Sequence, residues 1–410
     1  MRLYAALLLL PLINACSDDS SSSAGSAFNG GNSNNNSNNN NNITNDFTRS
    51  ALLADVTDKV FVSTIDAFQQ QAQQQTQAVN AMCEAVVNNA ADLTAQTDAA
   101  KESWRNAMNQ WQQLEVMQIG PVLDNDASLR NKIYSWPVVN SCAVDQDVAQ
   151  FEQSKTSGSS YDISKRTAPR RGLDALEYLL FNDNLNHSCS SESFAPAGWN
   201  DKPEQERKVA RCQFAVEVAT DIQNSSQELV QAWQGTDGYA QKLKTADSSK
   251  FDSEQAAINK ITDAMFYIDS ITKDAKLASP IGLSSNSCGN AACVNDIESR
   301  LSANSVNNIK NNLIGLQKLF IASDETNVGF DDFLTAVEAA DLATTMKQDI
   351  QAAIDAANSF SGTLEQAVNN DPDKVQALHQ AVKKVTDNLK SVFITTLALE
   401  LPQTSAGDAD

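Results

Sequence analysis

From Phe61 onward the apolar residues recur at Ile65, Phe68 and Ala72, then at Val79, Met82 and Val86. Steps of three and four trace one stripe along a helix, and a chain patterned this way must bury that stripe against other helices. The stretch between, "QQQAQQQTQ", is a good helix former with a polar outer face. The same spacing recurs along the chain, convincing β alternation is absent, and 15 Gly and 9 Pro suit long helices with few turns. The expected fold is all-α.

A second helix is expected at "LTAQTDAAKESWRNAMNQWQQLEVM", with Trp104, Met108, Trp111 and Glu115 on one face and a stop at Gly120 and Pro121. Later helices are expected at "APRRGLDALEYLLFND", "QERKVARCQFAVEVATDIQNSSQELVQAWQ" and "EQAAINKITDAMFYIDSITKDAKL". Three more follow at "VNDIESRLSANSVNNIKNNLIGLQKLF", "FDDFLTAVEAADLATTMKQDIQAAIDAANSF" and "PDKVQALHQAVKKVTDNLKSVFITTLAL". A composition shift over residues 235–255 divides the folded part into 48–240 and 241–401, each with helices enough for a bundle. Residues 402–410 form a tail.

The chain opens "MRLYAALLLLPLINACSDDS", a basic residue and a short apolar run that has the shape of a secretory signal over residues 1–15. "INAC" resembles a bacterial lipobox, which implies cleavage before Cys16 and a lipid anchor on its sulfur. Ser17 after that cysteine favours the outer membrane by the same resemblance, with the protein facing the periplasm or the cell surface. Residues 16–47 are Ser- and Asn-rich, cannot build a core, and read as a disordered linker with a reach of roughly 30 Å.

The 51 acidic and 30 basic residues give a net charge of −21, which argues against a nucleic-acid partner and a basic membrane-docking face. Beyond Cys16 the cysteines are Cys83, Cys142, Cys189, Cys212, Cys288 and Cys293. An even number in an exported chain points to disulfides, although sequence cannot select the pairing. Nearness favours Cys288 with Cys293 and Cys189 with Cys212, leaving Cys83 with Cys142.

"GLDALEYLLF", residues 172–181, holds the most informative chemistry. On a helical wheel Leu173, Leu176, Leu179 and Leu180 share one face, and Asp174, Glu177, Tyr178 and Phe181 the other. A helix apolar nearly all round is expected to be buried on both sides. Two buried carboxylates side by side repel, which raises at least one pKa or calls for a cation between them. Arg166, Arg170 and Arg171 are the alternative: partners in ordinary ion pairs. The two histidines, His187 and His379, read as ordinary loop and helix residues, and no HExxH zinc motif occurs.

This segment resembles the signature of the imelysin family of bacterial cell-envelope proteins, usually Gly-x-His-x-x-Glu before an apolar run. "SWRNAMNQWQQLEVMQIGPV", "IYSWPV", "KLASPIGL", "IESRLSANSVNNIKNNLIGL" and "GFDDFL" resemble the rest of the family in order, over about residues 48–400. The resemblance implies two helical bundles packed side by side with the signature at their junction. It also implies either metallopeptidase activity or a role as an iron-regulated lipoprotein in iron uptake. Gly172 and Glu177 match, but Asp174 stands at the His position. His suits zinc, whereas carboxylates suit harder, oxygen-seeking ions. The expected metal or ligand site therefore comprises Glu115, Asp174, Glu177, Glu298, Arg300 and Ser302, with no residue assigned to catalysis. A divalent ion, iron foremost, is the expected cofactor, and iron-uptake components are the expected partners. Binding is favoured over hydrolysis, and a partner-binding lipoprotein with a degenerate site is the further alternative.

Overall fold

The computed structural model describes residues 47–402, apart from Val139, Glu192 and Ser193, and these residues belong to one compact unit. The expected signal segment, the lipid-bearing Cys16, nearly all of the linker and residues 403–410 lie outside the described residues. Among the described residues there is no strand, and no helix is long and apolar enough to cross a membrane.

Helix α1 (Arg49–Asp55) starts at Thr48, whose hydroxyl accepts from the Ala51 N–H, and runs through a π-wound segment (Val56–Val62) into α2 (Ser63–Asn88). The chain reverses at Asn89, in the left-handed conformation, and α3 (Leu93–Glu115) packs along α2. Shorter helices follow: α4 (Asp124–Ile133), α5 (Ser141–Ser157) and α6 (Gly172–Phe181). The long α7 (Glu204–Gln234) then packs against α2 and α6. After α8 (Tyr239–Lys244), α9 (Glu254–Met265) leads into a second π-wound segment (Ile268–Ala278). The last part comprises α10 (Ser305–Phe320), α11 (Phe330–Ala336), α12 (Ala340–Asn358), α13 (Leu364–Asn370) and α14 (Pro372–Asn388).

The helices form two groups. In one, α2 packs on α3 and α7; in the other, α10 packs on α12, and α14 on α12 and the second π-wound segment. Contact between α3 and α10 joins the groups. Gly315 permits it, because a Cβ there would lie 2.6 Å from the Gln113 carbonyl oxygen. The periodic stripes explain the packing: Ile65, Phe68, Ala72 and Val79 of α2 and Trp104, Met108 and Trp111 of α3 are all fully buried. Phe68 and Trp111 meet with ring centroids 5.2 Å apart.

Two expectations need correction. The helix expected from residue 294 begins only at Ser305; residues 297–304 instead form an irregular strap in which Ser299 and Ala303 have positive φ. The disulfides are Cys83–Cys212, Cys142–Cys189 and Cys288–Cys293, so only the last matches the pairing by nearness. Helices α2 and α7 lie side by side, which brings Cys83 to Cys212 across 129 residues. The loop after α6 folds back over α5, where the Asp145 carboxylate accepts from Ser188, and this sets Cys189 against Cys142.

Candidate functional site

Gly172 sets the position of the acid pair. Its φ is +79°, and a Cβ would lie 2.7 Å from the Ile133 carbonyl oxygen, so a side chain there meets both backbone strain and a collision. The close approach sets the first turn of α6 against residues 133–135. The Ser135 backbone N–H and hydroxyl both donate to Asp174 Oδ2, at 2.7 and 3.0 Å. One turn on, the Ser302 N–H and hydroxyl both donate to Glu177 Oε1, each at 2.8 Å. Each acid is thus clamped through one oxygen by a serine from a different wall. The other oxygen of each, Asp174 Oδ1 and Glu177 Oε2, has no hydrogen-bond partner among the described residues.

Residues Gly172–Leu180 are all buried, as the two-sided apolar wheel implies. Burial raises Asp174 to about 7, with Ser135 and Arg130 opposing in part, and Glu298 adds to the rise. Burial likewise raises Glu177 to about 7; the Ser302 bonds oppose it, and the neighbouring Asp174 and Glu298 add to it. The upstream arginines do not relieve the pair. Arg166 and Arg170 pair with Asp147, and Arg171 Nε donates to Asp221 at 2.7 Å.

Both acids line a cavity of about 320 Å³. Its other walls include Trp136, Pro137 and Ser141 on one side and, on the other, Asn295 just before the strap with Ser299, Arg300 and Leu301 of the strap.

Behind this cavity lies a buried ion network. Lys276 Nζ, from the second π-wound segment, sits 3.0 Å from Glu298 Oε1 and 3.5 Å from Glu115 Oε2. It donates to Gln112 Oε1 at 2.6 Å and Asn312 Oδ1 at 2.9 Å. Arg130 donates to Glu115 at 3.0 Å, and the Tyr134 hydroxyl to Glu298 at 2.6 Å. Burial works against the charge on Arg130, but Glu115 beside it prevails and holds its pKa above the ordinary value. Burial and the nearby carboxylates push Tyr134 and Tyr267 well above theirs, so both stay protonated. Two acids face two cations here, and no ion pair among the described residues reaches Asp174 or Glu177.

Of the expected site residues, Asp174, Glu177 and Arg300 line the cavity and Ser302 clamps Glu177. Glu115 and Glu298 belong to the ion network instead, engaged by cations of the chain itself. Reasoning from sequence missed Ser135, Arg130, Lys276, Gln112 and Asn312. The adjacent Asn311 and Asn312 within the apolar stripe of α10 are the one signal that pointed to buried polar contacts. As a donor set, two open carboxyl oxygens fit an oxygen-seeking cation rather than zinc.

An all-helical protein with a carboxylate pair on a cavity between α6 and the strap is the class that fold and site define. Comparison with known proteins makes it specific: the sequence pattern of the family described as Imelysin matches residues 61–392. The chain belongs to the imelysin family. A curated relative, Iron-regulated protein A of Synechococcus elongatus, is 23% identical over 237 residues, 56% of this chain and 54% of its own. The chain thus spans about half the length of the curated relative it matches. Two crystal structures share the fold, both at a TM-score of 0.65. One, described as an iron-regulated protein A precursor from Parabacteroides distasonis, is 20% identical and aligns over 85% of this chain and 95% of its own. The other, an imelysin-like protein from Psychrobacter arcticum, is 15% identical over 86% and 96%.

Proposed function

We propose that this chain is a cell-envelope lipoprotein, anchored through Cys16, that binds a divalent metal ion between its two helix groups in the service of iron acquisition. The observation that carries the reading is the acid pair itself. Asp174 and Glu177 are 5% and 8% exposed, share one cavity, and each keep an oxygen without a partner among the described residues. Burying two such groups together is costly unless they take up protons or a cation joins them, and a cation can do so where protonation is incomplete. Asp174 Oδ1 and Glu177 Oε2 would hold the ion, and the Ser135 and Ser302 bonds would fix the carboxyl planes. The iron assignment draws on the name of the Synechococcus relative and on family membership.

The test is metal analysis of protein purified without chelator, beside Asp174→Ala and Glu177→Ala. The expected result is close to one divalent ion per chain, lost in both variants, and a chelator-induced fall in thermal midpoint in the wild type alone. Absence of bound metal together with an unchanged midpoint after chelator overturns the reading. Proteolysis that disappears in Glu177→Ala would replace it with a hydrolytic one.

A further inference from the structure

Arg300 lines the same cavity as Asp174 and Glu177, yet cation binding by the pair makes no use of it. It is exposed, and its side chain has no ion pair or hydrogen-bond partner among the described residues. Its backbone, by contrast, is firmly held. Within two residues on either side, Glu298 bonds to Lys276 and Tyr134, and Ser302 bonds to Glu177. At the root of the segment, Cys288–Cys293 closes a short loop two residues before Asn295, another lining residue. A guanidinium without a partner is therefore carried on a fixed backbone at the rim of a cavity floored by two carboxyls.

The coordination shell points the same way. Hard cations take about six or more oxygen ligands. Among the described residues no third His, Cys, Asp or Glu joins the pair in a group able to hold a metal. Neutral lining oxygens such as those of Ser141, Asn182 and Asn295 leave ligand positions for groups from solution, and the cavity has room for more than water: about 320 Å³, within the range of small-molecule sites. The charges also favour an anion. A dication on two carboxylates is neutral, and Arg300 then leaves the cavity with a net positive charge.

We infer that the site takes its metal as a complex with a small carboxylate-bearing chelator, with the metal on Asp174 and Glu177 and a chelator carboxylate on the Arg300 guanidinium. This rests on the metal-binding reading above. Arginine suits the role because its planar fork meets a carboxylate with two parallel hydrogen bonds, which lysine cannot do. Asn182 and Asn295 supply further polar lining, and Trp136, Pro137 and Leu301 give the cavity apolar walls.

The experiment is equilibrium dialysis of the chain against Mn²⁺, alone and with equimolar citrate, for the wild type, Arg300→Ala and Arg300→Lys. Citrate is expected to raise the affinity for Mn²⁺ about tenfold or more in the wild type, the scale of a charge-assisted bidentate contact. The gain should vanish in Arg300→Ala and persist in part in Arg300→Lys. Calorimetry of the citrate complex should show the same order. Citrate that merely competes, lowering bound Mn²⁺ equally in wild type and Arg300→Ala, overturns the inference while the metal site stands. Failure of Mn²⁺ to bind with or without citrate overturns both.

Discussion

At the scale of single residues, the raised pKa values of Asp174 and Glu177 tie stability to pH. Their ordinary values are 3.8 and 4.5, and both rise to about 7 in the folded protein. Between about 4 and 7 the folded chain therefore holds protons that the unfolded chain has released, and stability falls as pH rises through that window. Below it both states are protonated and the penalty is absent; above 7 the penalty is complete. Each pKa unit of rise costs the folded, ionised protein about 1.4 kcal/mol, so the two rises together amount to roughly 8 kcal/mol as an upper bound. Asp221 and Asp331 are raised as well, so the informative quantity is a difference between proteins. In metal-free protein, urea midpoints from pH 5 to 7.5 should fall more steeply for the wild type than for the Asp174→Asn, Glu177→Gln double variant. Parallel curves would show that burial does not raise these acids. Gly172 yields a second expectation. Gly172→Ala should cost about 2–4 kcal/mol in urea unfolding, since it combines backbone strain with a collision. Gly172→Asn separates the two causes. Asn tolerates positive φ but still carries a Cβ, so it should be nearly as harmful as Ala; full recovery by Asn would mean that backbone strain alone sets the cost.

At the scale of elements, the ion network fastens α3, the second π-wound segment, the strap and α10 to one another through Lys276. Lys276→Met should destabilise by about 3–5 kcal/mol, because two buried carboxylates lose a cation. Adding Glu298→Gln to it should recover part of that loss, and a double-mutant cycle reads the coupling directly. Additive losses would show that Lys276 and Glu298 act independently. The same region marks how far sequence pattern can be read. The stripe of α3 is plain because Trp104, Met108, Trp111 and Glu115 repeat at helical steps on a buried face. The strap passes for helix in the sequence because Ile297 and Leu301 imitate that step, four residues apart, although only Ile297 is buried. Its course is set by partners distant in sequence: Glu177 for the Ser302 N–H, and Lys276 and Tyr134 for Glu298. Local periodicity carries no record of such bonds. The acid pair itself is legible, since spacing alone puts Asp174 and Glu177 on one helical face. Its serine clamps are not, since Ser135 and Ser302 lie 39 and 125 residues away in the chain from the acids they hold.

At the scale of the whole molecule, the disulfides divide between stability and the site. In the chain-entropy account, a crosslink stabilises according to the length of loop it closes. Cys83–Cys212 spans 129 residues, Cys142–Cys189 spans 47 and Cys288–Cys293 only 5. The corresponding contributions are about 5, 4 and 2 kcal/mol. Distance from the cavity runs the other way. Cys83 and Cys212 join α2 to α7, neither of which lines the cavity, whereas Cys142 follows the lining residue Ser141 and Cys293 lies two residues before Asn295. Replacing Cys83 and Cys212 together by Ala should therefore lower the urea midpoint most, with little change in metal affinity measured well below that midpoint. Replacing Cys288 and Cys293 should lower the midpoint least yet weaken metal binding measurably. The strap would then be free to move, and Ser302 could no longer hold Glu177 in register with Asp174. If metal affinity instead follows global stability across the three pairs, the strap is not held by its disulfide, and the rigidity of the site comes from the ion network behind it.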